Sequence, residues 1–519
     1  MSADERPGRA PEALRGEDRS DSVRDLARHS TVYAVAPIAQ RLIALLLIRF
    51  YTAELDTAEW GVLALADLLL GLLPLLVGSS LLAGMSRFYF LKAGDADRDR
   101  VVSTVAVGVA LTSLAISGAG WLARDAIAAA LFSGATAGAM PEFVDLVSIC
   151  LVIFPLAMVT ATGLQALQLL KRSRAVVRVT LAKSALEAGL KLWFLLGLGL
   201  GVRGFLLAVL IGEAVAAAGL LTWLLATFGA RPTRSAGRAL LRYCAPIVPV
   251  ALFQLGLHQS DKLLLERLGP TDVDGQGLTR GLALLGVYAL GYQVPYLLHV
   301  TLSGSFQKIW QPNAFASAEA GPARAVRVGR LALTVLGAAH AAAALFASQG
   351  VRVLTANETY HGADAVVPWI AAAYLGYAAY ALAQTALMAS MRTGTLALLN
   401  GGALLLNVGL NVALIPEHGI LGAAAATLVS FWALALAAAR ASRAAGVAAF
   451  EAAHALVALA AVAGAGALGA WIDGRYDPFT WPAWALKCGA VVLLAAFVHR
   501  ALPGEEPRGP RRGPRAPSP

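Results

Sequence analysis

Charge is what this sequence has least of. Only 14% of its 519 residues are Asp, Glu, Lys or Arg, where a soluble globular chain carries about a quarter. Cysteine is nearly absent: Cys150, Cys244 and Cys488 stand far apart inside apolar stretches. That excludes a disulfide framework and any cysteine-based metal spacing. There is no Gly-rich phosphate loop ending in Lys-Ser/Thr, no His-Glu-x-x-His and no nucleophile elbow, which excludes a built-in ATPase, a metalloprotease and an α/β-hydrolase. Long polar loops are missing: the connections between apolar runs reach only about 15–20 residues by membrane-span arithmetic. A membrane glycosyltransferase or ligase needs larger external loops with an acidic motif. Alternating apolar and polar residues are lacking too, against a β-barrel, and so are nucleic-acid modules, so the net charge of +10 needs another explanation.

What the chain has is apolar runs of membrane-spanning length; 58% of it is hydrophobic and mean hydropathy is +0.66. About fourteen runs recur near 31–53, 61–84, 101–123, 143–169, 176–200, 204–227, 243–265, 282–306, 325–349, 366–391, 394–416, 419–439, 451–471 and 483–501. Basic residues gather in alternate connections, such as Arg87 to Arg100, Lys171 to Arg174 and Arg231 to Arg242, while the intervening ones are acidic, such as Glu54 to Glu59, Asp272 and Asp274, and Glu358 and Asp364. The positive-inside rule then puts both termini in the cytoplasm of a multi-pass membrane protein. The net charge is mainly a topology signal, with a lesser pull on anionic lipid heads. Residues 1–28 lack the apolar stretch of a secretory signal and 503–519 are Pro/Arg-rich; both read as disordered cytoplasmic tails.

The chain also repeats itself. Ala36-Pro37-Ile38 parallels Ala245-Pro246-Ile247, and Trp60-Gly61-Val62-Leu63-Ala64-Leu65 parallels Leu285-Gly286-Val287-Tyr288-Ala289-Leu290. Spans five and six parallel eleven and twelve, setting Glu187 and Lys191 opposite Asn407 and Asn411, and Gly204 opposite Gly419. Six spans followed by six preserve orientation. The lobes 29–230 and 231–445 are therefore expected to be related by an axis along the membrane normal, with a cleft between them. Residues 446–502 read as an appended helical hairpin. Pro37, Pro246 and Pro249 are candidate bend points.

Against this background, ionisable residues inside spans mark a polar interior. Arg41 and Arg49 lie in the first span, Asp67 in the second, and Lys183, Glu187 and Lys191 four apart on one face of the fifth. Glu213 lies in the sixth, and His258, Asp261 and Lys262 in the seventh, with His299 and His340 beyond. One reading is a hydrated, net-cationic cavity. Arg41, Arg49, Lys183, Lys191 and Lys262 bind an anion such as phosphate or pyrophosphate, with Asn407 and Asn411 as further substrate contacts. Glu187 and Asp261 then orient the cations or take up a coupling H+ or Na+. The other reading is structural. Lys183, Glu187 and Lys191 satisfy one another, Asp261–Lys262 snorkels at the interface, Arg49 holds a lipid phosphate, and Glu213 and His340 are structural. Neither reading calls for a metal or an organic cofactor.

Four stretches, IRFY…EWGVLAL, APIVP…SDKLLLERLG, GVYALGY…FQKIWQP and LLNVGLNVALIPEHGILGAAAATLVS, resemble the Wzx-type polysaccharide flippases. These belong to the multidrug/oligosaccharidyl-lipid/polysaccharide exporter superfamily, and the resemblance covers roughly residues 25–440. It implies an all-α polytopic MATE-like fold of two six-helix lobes in the bacterial inner membrane. It implies a non-enzymatic, alternating-access flippase for undecaprenyl-diphosphate-linked oligosaccharide, serving O-antigen, capsule or exopolysaccharide synthesis. Arg41, Lys183 and Lys191 would supply the cationic cavity of that family. Membrane lipids, a polysaccharide polymerase and glycosyltransferases are the implied partners. Neighbouring readings are a peptidoglycan-precursor flippase and a cation-coupled drug exporter, the latter needing an acidic cavity. More distant ones are a scaffold and a glycosyltransferase or ligase using Asp272, Asp274 or Asp364.

Overall fold

The computed structural model describes residues 40, 43–77, 79–92, 94–132, 140–244, 247–269, 280–316, 322–390, 392–447 and 449–501. Among them are helices and turns but no strand. In hydrocarbon each backbone N–H and C=O must be satisfied within its own segment, and a continuous apolar run achieves this as a helix. The first helix, α1, covers residues 43–54. It is followed by α2 (Thr57–Val77), α3 (Ser79–Leu91), α4 (Asp95–Leu122), α5 (Arg124–Leu131), α6 (Met140–Leu169), α7 (Ser173–Leu192), α8 (Gly201–Phe228) and α9 (Arg234–Cys244). The second half comprises α10 (Ile247–Leu268), α11 (Arg280–Ala316), α12 (Pro322–Leu345), α13 (Ala347–Leu354), α14 (Val367–Ala389), α15 (Thr393–Ala444), α16 (Ala452–Asp473) and α17 (Trp481–Ala501). The described residues of the predicted spans fall almost wholly on helices.

Nine helices among the described residues are long and apolar enough to cross a membrane unaided. The charge-bearing α7 and α10 are not among them. α15 has 52 residues, which at 1.5 Å per residue makes about 78 Å, more than twice the hydrocarbon thickness. It bends at Gly419 (φ 53, ψ -125) and so supplies two passes. Pro249 lies close to the first described residue of α10. Pro37 and Pro246 lie outside the described residues.

The repeat is visible in the backbone. Gly201 and Gly419 open the sixth and twelfth spans with the same φ of 53. Three residues on stand Gly204 and Gly422, where a Cβ would lie 2.8 Å from Leu200 Cβ and 2.4 Å from the Leu414 carbonyl oxygen, respectively. The backbone thus aligns Gly201, not Gly204, with Gly419. Part of the difference is taken up by a π-helical turn at Trp193–Gly197 in the first lobe.

Within the first lobe α6 packs on α4 and α8, and α7 on α8; within the second, α14 packs on α11, α12 and α15, and α10 on α15. The lobes meet where α2 packs against α10 and α11. There Gly61 and Gly286, equivalent in the repeat, face each other. A Cβ on Gly61 would stand 2.1 Å from the Leu282 carbonyl oxygen, and one on Gly286 1.8 Å from that of Thr57. Each glycine meets the carbonyl four residues before the other, the signature of a local twofold axis between the lobes. The acidic-loop end is also stitched by hydrogen bonds. Arg49 Nη1 donates to the carbonyls of Val353 (3.1 Å) and Thr355 (2.9 Å). The Tyr360 hydroxyl donates to those of Leu55 (2.9 Å) and Asp56 (2.6 Å), and the Ala356 N–H donates to Thr52 Oγ1 (3.1 Å).

The α16–α17 hairpin packs on α12 and α14. Lys487 of α17 is fully buried, its Nζ 2.7 Å from Asp473 Oδ2 and 2.8 Å from Gln349 Oε1. Removing one partner of such a pair strands the other in a low-dielectric site. Asp473→Asn is therefore expected to lower unfolding stability by about 3 kcal/mol, whereas the apolar pair Lys487→Met with Asp473→Leu restores most of it. Thermal melts in detergent distinguish the two outcomes; equal melting points for native protein and single variant would contradict the assignment.

Candidate functional site

Beyond the Gly61–Gly286 contact, α1, α2, α7, α8, α10, α11 and α14 line a cavity of about 1050 Å³ between the lobes. That is at the upper end of ligand pockets, which run to about 1000 Å³. Four charged side chains line it among the described residues: Asp67, Glu187, Lys191 and Lys262. The balance is even, so these residues do not make the net-cationic lining expected from the sequence. Arg41 lies outside the described residues.

The charges of α7 divide their work. Lys183 turns toward α8, its Nζ 2.7 Å from Glu213 Oε1 and 3.1 Å from Glu187 Oε1. Gly212 makes room for this clasp: a Cβ there would stand 2.4 Å from Glu187 Cγ. Lys183 is thus a structural staple and not a cavity residue, Glu187 serves both clasp and cavity, and Lys191 faces the cavity. The Lys191 ammonium lies 3.9 Å from the Phe205 ring centroid and forms no ion pair among the described residues.

Asp261 and Lys262 separate because successive helix residues point about 100° apart. Asp261 is fully buried in the second lobe. It accepts from the Tyr288 hydroxyl, from Thr427 Oγ1 at 3.3 Å and from the Lys262 N–H at 2.8 Å. It is neither at the interface nor in the cavity. Lys262 lines the cavity, 5.6 Å from the Tyr292 ring centroid, likewise with no ion pair among the described residues. Asp67 was passed over as a site residue, yet it is exposed to the cavity and within electrostatic reach of both Lys262 and Lys191.

Three other expected contacts lie elsewhere. Asn407 and Asn411 are fully buried; the Asn411 amide and Ser260 Oγ both donate to Asn407 Oδ1 at 2.9 Å, tying α15 to α10. Arg49 caps the carbonyls at the C-terminal end of α13, where a cation complements the helix dipole. Asp272 and Asp274 lie outside the described residues, and Asp364 accepts from Ser348 Oγ at 2.9 Å. His340 Nδ1 lies 2.7 Å from the Leu336 carbonyl one turn back, the structural role read from the sequence. An aromatic wall on α11 and α14 was missed. Its signal was present in tyrosines spaced four apart at 288, 292 and 296, and three apart at 374, 377 and 380.

No protein-family model and no curated protein matches the sequence. Among solved structures, the chain is similar to the lipid II flippase MurJ in an inward closed conformation, with TM-score 0.70 and 12% identity, covering 91% of this chain and 99% of that one. It is similar to an inward-facing multidrug resistance MATE family transporter of the MOP superfamily, with TM-score 0.56 and 16% identity over 80% of this chain and 97% of that one. A MATE protein in complex with MaD3S gives TM-score 0.57 and 17% identity over 80% and 94%. These likenesses establish the fold: the chain is a polytopic all-α membrane protein with the architecture of these flippase and exporter structures.

Proposed function

We propose that this protein is a transporter that moves a polyprenyl-diphosphate-linked oligosaccharide across the membrane by alternating access of its two lobes. The observation that carries the proposal is the pair of lysines, Lys191 from the first lobe and Lys262 from the second, lining one large cavity without ion-pair partners among the described residues. A charged side chain at membrane depth costs about 3 kcal/mol or more unless paired; a diphosphate supplies the missing partner through charge-assisted hydrogen bonds. Because the two cations belong to different lobes, an anion between them binds one lobe arrangement better than another, which is what ligand-driven conformational change requires. The cavity holds the diphosphate and sugars while the polyprenyl chain stays in lipid. Coupling to an H+ or Na+ gradient runs through Glu187, the carboxylate shared by cavity and clasp.

In the bacterial cytoplasmic membrane such a transporter works between the glycosyltransferases that build the lipid-linked unit and the polymerase that consumes it. The fold likeness to the lipid II flippase MurJ favours a second reading within the same chemistry, a peptidoglycan precursor. Export of cationic compounds is the competing reading, because Asp67 and Glu187 line the same cavity as the two ammonium groups. The test is leaflet transfer in proteoliposomes of undecaprenyl diphosphate carrying a short oligosaccharide. Protein-dependent transfer supports the proposal; a folded protein that transfers none while moving a lipophilic cation overturns it.

A further inference from the structure

The two walls of the cavity differ in chemistry. The charges belong to α2, α7 and α10, whereas the lining supplied by α11 and α14 contains no Asp, Glu, Lys or Arg. It presents instead four tyrosines and a histidine, of which Tyr296 (43% exposed) and the half-buried Tyr377 are the most open. The hydroxyls of these two have no hydrogen-bond partner among the described residues. Both rings pack against other aromatic rings. Tyr296 stands 5.8 Å from Tyr374, whose hydroxyl donates to that of Tyr292 at 2.8 Å. Tyr377 meets the His258 ring edge to face at 4.5 Å. Gln293 lies alongside as a neutral amide.

Resting on the reading above, we propose that this wall is a saccharide subsite. A pyranose ring has an apolar C–H face and a rim of hydroxyls. The electron-rich tyrosine faces receive the C–H face, and two free phenols and an amide satisfy the hydroxyls without the cost of burying a charge. A purely apolar occupant would leave those groups unpaired, which is unfavourable. The substrate is thus read in two halves, diphosphate by Lys191 and Lys262, first sugar by Tyr296 and Tyr377.

The test titrates the full-length protein in nanodiscs with two probes, undecaprenyl diphosphate and the same lipid bearing one N-acetylhexosamine. The sugar is expected to tighten binding to native protein about tenfold, the scale of one to two aromatic contacts. Tyr296→Ala with Tyr377→Ala is expected to erase that difference and leave the affinity for the bare diphosphate lipid unchanged. Tyr296→Phe with Tyr377→Phe keeps the stacking part. Equal affinity of native protein for the two probes, or an equal loss for both in the Ala variant, overturns the subsite. Binding of neither probe overturns the transport reading itself.

Discussion

Gly286→Ala is expected to slow transport by about tenfold to a hundredfold while leaving the protein inserted and helical, and Gly61→Ala to do the same. A methyl group has no rotamer by which to escape, and the gap it would enter measures 1.8 Å to the Thr57 carbonyl oxygen at Gly286 and 2.1 Å to that of Leu282 at Gly61. Relief comes only by moving α2 and α11 apart, at a cost of about 1–3 kcal/mol for such overpacking. Under the proposed alternation of the lobes, that penalty falls on the arrangement in which they touch at the acidic-loop end. It shifts the population away from that arrangement by about tenfold to a hundredfold. Arg49→Ala acts in the same direction but less strongly, because it removes hydrogen bonds across the same end without adding bulk. Spin labels at Glu54→Cys and Glu358→Cys, both exposed, in a Cys488→Ser background report the lobe separation there. Longer distances in the glycine variants are expected. Unchanged distances with full transport would show that the contact is not a gate. Unchanged substrate affinity in Arg49→Ala separates the latch role from the anion-binding role first read from the sequence.

Lys262→Gln and Lys191→Gln are each expected to slow transfer of diphosphate-linked substrate by about tenfold to a hundredfold, matching the 1.5–3 kcal/mol of a hydrogen bond to a charged group. Lys→Arg at either position keeps the charge and is expected to retain most activity. The contrast is Lys183→Gln, which breaks the clasp with Glu187 and Glu213. It is expected to lower the melting temperature without a selective loss of binding. Initial transfer rates in proteoliposomes, with thermal melts of the same preparations, separate the three cases. Equal effects of Lys183→Gln and Lys191→Gln on binding would return Lys183 to the site.

That the chain is a polytopic bundle of helices followed from apolar run length, because a bilayer accepts only helices of a set length; α7 and α10 do not stand out by that rule. The repeat was legible in short matches, and the equivalence of Gly61 with Gly286 proved physical. The glycine register at Gly419 was not legible, since extra residues in the first lobe are invisible until the backbone shows two glycines with the same left-handed φ. Membrane-embedded charges announced a polar interior, but not which of them face it.

Sequence by itself determined the all-helical, polytopic architecture, the two-lobed repeat and the helices that carry buried charge. Only the tertiary structure decided that Lys191 and Lys262 reach the cavity while Lys183, Asp261, Asn407, Asn411 and Arg49 bond to protein, and that Asp67 and a tyrosine wall complete the lining. The reason is angular. One residue along a helix turns the side chain by about 100°, so whether it meets solvent, substrate or another helix depends on how each helix is rotated against its neighbours. That rotation is set by contacts hundreds of residues apart in the chain, such as Arg49 with Thr355, and by the absence of a side chain where Gly61 meets Gly286.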